Sequence, residues 1–286
     1  MSVLSVDLAY RRWSDLGIAI LSRTTGKNGG ENGQMSGLIA CELIAWDGSD
    51  LEEKHQGKPV HAEILAGRLN HLANIRGIRV LLLDGPQAWK SESNGLAHTR
   101  LSERQLNTAA KTGLPGIVKP ATYRTFAEFC VDVYDALCRR GWKRLATQVQ
   151  PGAEPERVLV ESYPHAAWRA LGLRALPSKR RAKVSDLATS FAALESLIPL
   201  TVDRPPNHDQ LQAIVGGLPG LALEAHNPAG ARFVGEPPRR EDGHWREGFI
   251  VLPVPPQRAS GLYWLEQKPL SQLGGVLNDS ALFRTR

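Results

Sequence analysis

Three short aliphatic runs, each delivering one acidic side chain, constrain this chain more than any other feature. Arg79-Val80-Leu81-Leu82-Leu83-Asp84 ends on a carboxylate and turns at Gly85-Pro86. Val3-Leu4-Ser5-Val6-Asp7 opens the sequence, and Arg157-Val158-Leu159-Val160-Glu161 lies in its middle. Apolar runs of this length predict strands buried on both faces, the pattern of a parallel sheet. In open α/β sheets, ligands bind at the carboxyl ends of such strands. Asp7, Asp84 and Glu161 are therefore expected at one functional edge.

The rest of the chain supplies the elements around these strands. Residues 3–8, 16–21 and 38–46 read as strands of an antiparallel meander, with a polar turn over 10–15 and a Gly/Asn-rich loop over 26–37. Residues 60–75 carry Ile64, Leu65, Leu69, Leu72 and Ile75 at helical spacing, which predicts a helix with one apolar stripe. A strand, a helix and a second buried strand at 79–84 make a right-handed parallel crossover. Residues 90–122 have weak periodicity and form a loop-rich insertion. Thr125, with Glu128 three residues on, reads as the capping box of a helix that Gly141 ends. A loop at 151–155 precedes the strand at 157–161. Helices follow over 165–171, 185–198 and, capped by Asn207, from His208 to about Leu218. Residues 248–253 read as one more strand.

Composition bounds the class. With 286 residues and 42% hydrophobic content, the chain has enough apolar material for a sizeable core. We expect one domain over residues 1–225, with the insertion at about 90–122, and a Pro/Arg-rich extension over 226–286 packed on it. No stretch approaches the ~20 apolar residues of a membrane span, and no signal peptide is apparent, so a cytoplasmic location is expected. The three cysteines, Cys41, Cys130 and Cys138, lack Cys-x-x-Cys spacing, which argues against a disulfide framework or a zinc site. A net charge of +6 favours a polyanionic partner.

The acidic residues carry the chemistry. Burying a lone carboxylate costs several kcal/mol unless it is paired or binds a cation. For Asp7 the choice lies between a salt bridge to Arg11 or Arg12 and a metal. Asp84 is also a favoured turn residue, Glu161 could pair with Arg169 or a basic loop, and Asp209 sits where a helix dipole favours negative charge. Neighbouring parallel strands place Asp7 and Asp84 together, and two such groups repel unless a cation sits between them. Carboxylate oxygens suit Mg²⁺ or Mn²⁺. Two such ions would activate water and stabilise the leaving oxygen of a phosphodiester. His208 and His165 lie beside candidate ligands and could orient that water. Two basic loops follow the carboxylates: Arg100, Arg104, Lys111 and Lys119 after Asp84, and Lys179, Arg180, Arg181 and Lys183 after Glu161. There they could hold phosphates, although a Lys/Arg run is often only a solvated face. Trp13 and Trp89 could stack on bases or pack in the core.

The order strand, strand, strand, helix, strand, helix, strand, helices is that of the ribonuclease H-like fold. Val6-Asp7-Leu8-Ala9, Leu83-Asp84-Gly85-Pro86, Glu161-Ser162-Tyr163-Pro164 and His208-Asp209 together resemble the DUF429 family of predicted ribonuclease H-like nucleases. So do Arg100-Leu101-Ser102-Glu103-Arg104 and Ser178-Lys179-Arg180. The resemblance covers roughly residues 3–253. It implies a mixed α/β sheet flanked by helices and a metal-dependent nuclease whose ligands are Asp7, Asp84, Glu161 and Asp209. Family members often carry a second acidic residue three or four positions beyond the last Asp; here those positions are Gln212 and Ala213. That departure motivates the alternative of a degenerate module that binds nucleic acid or a protein. Sugar-kinase and actin-like ATPases share this strand order. They need small residues after the first Asp to cradle phosphate, and Leu8-Ala9-Tyr10-Arg11-Arg12 is too bulky for that.

Overall fold

A computed structural model of the chain describes residues 1–25, 37–49, 51, 55–146 and 156–255. The expected loops at 26–37, apart from Gly37, and at 151–155 lie outside the described residues, as do positions 256–286. Strands β1 (Ser2–Asp7), β2 (Gly17–Thr25) and β3 (Gly37–Ile44) form the antiparallel meander. Helix α1 (Ala62–Ile75) then crosses to β4 (Val80–Asp84), which pairs parallel to β1. The buried stripe of α1 is Leu65, Ala66, Leu69 and Ala73, whereas Ile75 is exposed. The face toward the core thus includes two alanines that a reading based on large side chains passes over.

The insertion is ordered. It contains α2 (Leu101–Leu106) and a two-stranded ladder of β5 (Lys111–Thr112) and β6 (Val118–Lys119). Helix α3 (Arg124–Arg139) follows. Its N-cap is Tyr123 and not Thr125, no side chain caps it, and Glu128 instead accepts from Arg124 at 2.8 Å. Strand β7 (Lys143–Arg144) lies parallel to β8 (Val158–Ser162). Next come α4 (Pro164–Ala170), α5 (Val184–Leu197), β9 (Leu200–Val202) and α6 (His208–Glu224). Helix α6 runs six residues past the expected end and carries Pro219 in its interior. Proline there removes a backbone hydrogen bond, but the whole segment from Ala213 is buried, so packing overrides propensity. Strand β10 (Ala231–Val234), a hairpin of β11 (Arg239–Glu241) and β12 (His244–Arg246), and β13 (Ile250–Pro253) complete the described chain.

Among the described residues, the main sheet runs β10-β13-β8-β4-β1-β2-β3-β9, with β7 beside β8. Strands β1, β4 and β8 are mutually parallel at its centre. Side chains alternate between the two faces. Leu4, Leu81 and Leu159 join a core with α1 and α3. Val3, Leu82 and Val160 join a second core with α6 and α4. Helix α6 crosses β1, β2, β4 and β13, and so spans the carboxyl edge where the acidic residues lie.

Candidate active site

Registry decides which acids meet. Asp7 of β1 stands level with Asp84 of β4, and Asp84 stands level with Ser162 of β8. All three share the α6 face. Glu161 is one residue earlier, level with Leu83, and a one-residue offset turns a side chain to the opposite face. The structure therefore brings Asp7 and Asp84 together and leaves Glu161 on the α3 side.

The two aspartates lie close enough to share a hydrogen bond. Burial is the main force raising both acids above the usual carboxylate range. Asp7 is raised further by the charges of Asp84 and Asp209 and is eased only slightly by Lys179. Asp84 is pushed up to about 7, with Glu161 adding to the effect of burial. The physical content is that two carboxylates in contact hold a proton or a cation between them.

Asp209 arrives from the first turn of α6 and is 6% exposed. Its Oδ2 accepts from Lys179, which also donates to Asp15 at 2.9 Å, and its Oδ1 faces His208 Nδ1 at 3.1 Å. His208 Nε2 donates to the Pro177 carbonyl at 3.0 Å. The approach of α6 depends on glycine. A Cβ on Gly17, which pairs with Asp7, would fall 2.0 Å from the Asp209 carbonyl oxygen. A Cβ on Gly217 would fall 2.8 Å from Ser5 and from Leu21. These glycines were not singled out from the sequence, although the 216, 217 and 220 spacing on one helix face is a readable mark of close helix–sheet contact.

Glu161 is already neutralised. Arg100 grips it with Nη1 and Nη2 at 2.7 and 2.6 Å, and the backbone N–H of Gln87 donates to it at 3.0 Å. Arg100 is 1% exposed and also pairs with Glu103 at 3.0 Å. As placed, Arg100 is an internal counterion with no guanidinium surface left for a phosphate, contrary to the sequence expectation. Glu103, which the sequence offered only within the Arg100–Arg104 motif, also accepts from Thr99 and from the Thr112 backbone. Of the other basic candidates, Arg104, Lys119, Arg180, Arg181 and Lys183 are exposed, while Lys111 folds back toward the Glu103 carbonyl. Of the second loop, Lys179 is the basic residue paired with a candidate acid, Asp209. Trp13 and Trp89 are buried in separate cores. His165 is half-buried near Tyr163, and burial lowers its pKa.

The oxygen-only set of Asp7, Asp84 and Asp209 is chemically suited to a hard divalent ion. Among the described residues, no three His, Cys, Asp or Glu side chains are gathered tightly enough to hold an ion unaided. A cleft of about 720 Å³ opens beside Asp84, between α3 on one side and α4 and α6 on the other.

Fold and site together define a mixed α/β protein, antiparallel then parallel strands flanked by helices, with a paired-aspartate edge. No family model and no curated protein matches the chain. Among solved structures it is similar to Thermus thermophilus RuvC, at 11% identity and a TM-score of 0.36, over 76% of this chain and 90% of that one. It is similar also to T. thermophilus RuvC in complex with a Holliday junction substrate, at 11% identity and a TM-score of 0.35, over 79% and 98% of the two chains. At these values nothing about the site of this chain follows from either. Among the described residues, no helix is long and apolar enough to cross a membrane.

Proposed function

We propose that the protein is a metal-dependent nuclease that hydrolyses phosphodiester bonds of nucleic acid at the Asp7–Asp84 pair. The observation that carries this reading is the registry of two carboxylates, side by side at the carboxyl edge of parallel strands and in contact. Asp7 and Asp84 would hold Mg²⁺ or Mn²⁺, with Asp209 as the third candidate once Lys179 turns from it to substrate. Such an ion supplies an activated water and stabilises developing charge on the phosphate. The chain's own residues do the remainder. Lys179 and the exposed Arg180, Arg181 and Lys183 bind the phosphate backbone. His208 is fixed by the Pro177 carbonyl and holds the Asp209 carboxylate in orientation. Burial keeps the pair in a low-dielectric setting where its charge acts strongly.

A second reading has its own support. Arg100 and Lys179 already neutralise Glu161 and Asp209, as expected of a module that binds nucleic acid without cutting it. One experiment separates the two. Purified protein is incubated with labelled single-stranded, duplex and branched DNA and RNA, with Mn²⁺, with Mg²⁺ and with EDTA. The nuclease reading expects cleavage with metal, none with EDTA, and a loss of at least ~10²-fold in Asp7→Asn and Asp84→Asn. Binding with no cleavage under any condition supports the module. Cleavage unchanged in the double variant removes the assignment of these residues.

A further inference from the structure

The cleft beside Asp84 has more room, and more carbon on its walls, than gripping a phosphate requires. Its volume of about 720 Å³ falls within the ~300–1,000 Å³ typical of sites that enclose an organic ring system. One wall is aromatic. Tyr10 and Tyr123 each contact Phe126, with ring centroids 6.2 and 6.4 Å apart, and all three line the cleft. Tyr123 is 43% exposed, although a ring of that size gains by being covered.

The other wall is polar, and its hydrogen bonds are incomplete. Ser162, level with Asp84, lines the cleft at 2% exposure, and its Oγ has no hydrogen-bond partner. A buried hydroxyl left unpaired is costly. Gln212 lines the same wall, and its Oε1 accepts from Trp168 Nε1 at 2.9 Å. An indole nitrogen can only donate, so the amide oxygen must be the end facing Trp168. The Gln212 amide N–H₂ is the end left over, and it takes no partner among the described residues. The position thus offers a hydrogen-bond donor to the cleft.

An aromatic face opposite a hydroxyl and an amide donor matches a flat heterocycle with nitrogen and oxygen on its edge. Asp84 lines the cleft, so a ring seated in it would bring its backbone near the carboxylate pair. A base held in a duplex cannot enter such a recess without leaving its stack. We propose that the cleft receives one unpaired nucleobase of the strand, packed against the ring cluster of Tyr10, Tyr123 and Phe126, with its edge on Gln212 and Ser162. This rests on the reading of Asp7–Asp84 as a nucleic-acid site, and it makes unpaired or extruded bases the substrate class.

The test measures binding in EDTA, so it does not depend on cleavage. A short single-stranded oligonucleotide of mixed sequence is compared with an abasic phosphodiester strand of the same length and charge. Wild-type protein should bind the strand with bases about 10-fold more tightly. Tyr123→Ala and Gln212→Leu should each weaken that strand toward the abasic level and leave the abasic strand unchanged. Thermal melts check folding, and the exposed Tyr123 gives a variant that does not disturb the core. Equal affinity for the two strands overturns the proposal, as does failure to bind either. Variants that weaken both strands alike also overturn it. Base-dependent binding without cleavage in Mn²⁺ would keep the cleft assignment and remove the nuclease reading instead.

Discussion

Among the described residues Asp84 and Asp7 stand in contact and neither is in a salt bridge, so their own titration is the most direct probe of the site. Raised carboxyl pKa values mean that the folded state holds protons the unfolded chain would release. The pair's contribution to stability is therefore fully present below the ordinary aspartate pKa near 4. It is lost as pH rises through about 7 for Asp84. Metal-free wild-type protein should lose stability relative to Asp84→Asn as pH goes from 5 to 8, the variant being more stable at pH 8 by about 0.5–2 kcal/mol. Added Mn²⁺ should narrow the gap by stabilising only the wild type. Melting curves across pH, with and without metal, check both statements, and a pH-independent difference would contradict them. Glu161 behaves differently because Arg100 satisfies it. Arg100→Met leaves Glu161 and Glu103 buried without a cation and should cost about 3–5 kcal/mol. Arg100→Met with Glu161→Gln should recover part of that loss, read from denaturant midpoints. The sequence made the acids legible and, through neighbouring parallel strands, the pairing of Asp7 with Asp84; it did not separate Glu161 from them. The face on which Glu161 projects depends on a registry that no single strand displays, and the partner of Glu161 comes from an insertion with no periodic signal.

Helix α6 carries the third candidate acid, Asp209, to the paired edge. Gly17→Ala places a methyl where the Asp209 carbonyl now lies, and backbone cannot yield as a side-chain tip can. The expected cost is about 1–3 kcal/mol from overpacking. Metal affinity, measured by calorimetry, should fall because the Asp209 end of the helix is displaced. Gly220→Ala meets only the Leu82 side chain, so it should leave metal affinity nearly unchanged while lowering stability. The central strands were legible because β1, β4 and β8 are buried on both faces and read as unbroken aliphatic runs. The length of α6 was not. Its glycines and Pro219 carry the local marks of a helix end, and only burial against the sheet reverses that sign.

At the scale of the whole molecule, charge is the property that reaches farthest. The net +6 includes the exposed Arg180, Arg181 and Lys183, which follow Lys179, the partner of Asp209, in the chain. Binding of nucleic acid should therefore weaken with salt. The slope of log affinity against log salt should fall by about one for each of Arg180→Ala and Arg181→Ala, across all sequences alike. A slope unchanged in both variants would place the backbone contact elsewhere.

The buried Glu247 ties the two ends of this architecture together. Its carboxylate accepts from the backbone N–H of Ser91 at 2.8 Å, from that of Leu101 at 2.8 Å and from Asn94 Nδ2 at 2.6 Å. Leu101 opens the helix that carries Glu103, which in turn holds the Thr112 backbone of the cleft wall. On a ribosome, Glu247 follows Leu101 by 146 residues, on the order of ten seconds at ordinary elongation rates. The acid pair can form as soon as β4 docks on β1, but the wall beside it must wait for the far end of the chain. Growing or truncated chains that stop short of Glu247 would present the carboxylates without the wall that frames them. The cleft wall is thus secured by a residue that follows most of the sheet's strands in sequence.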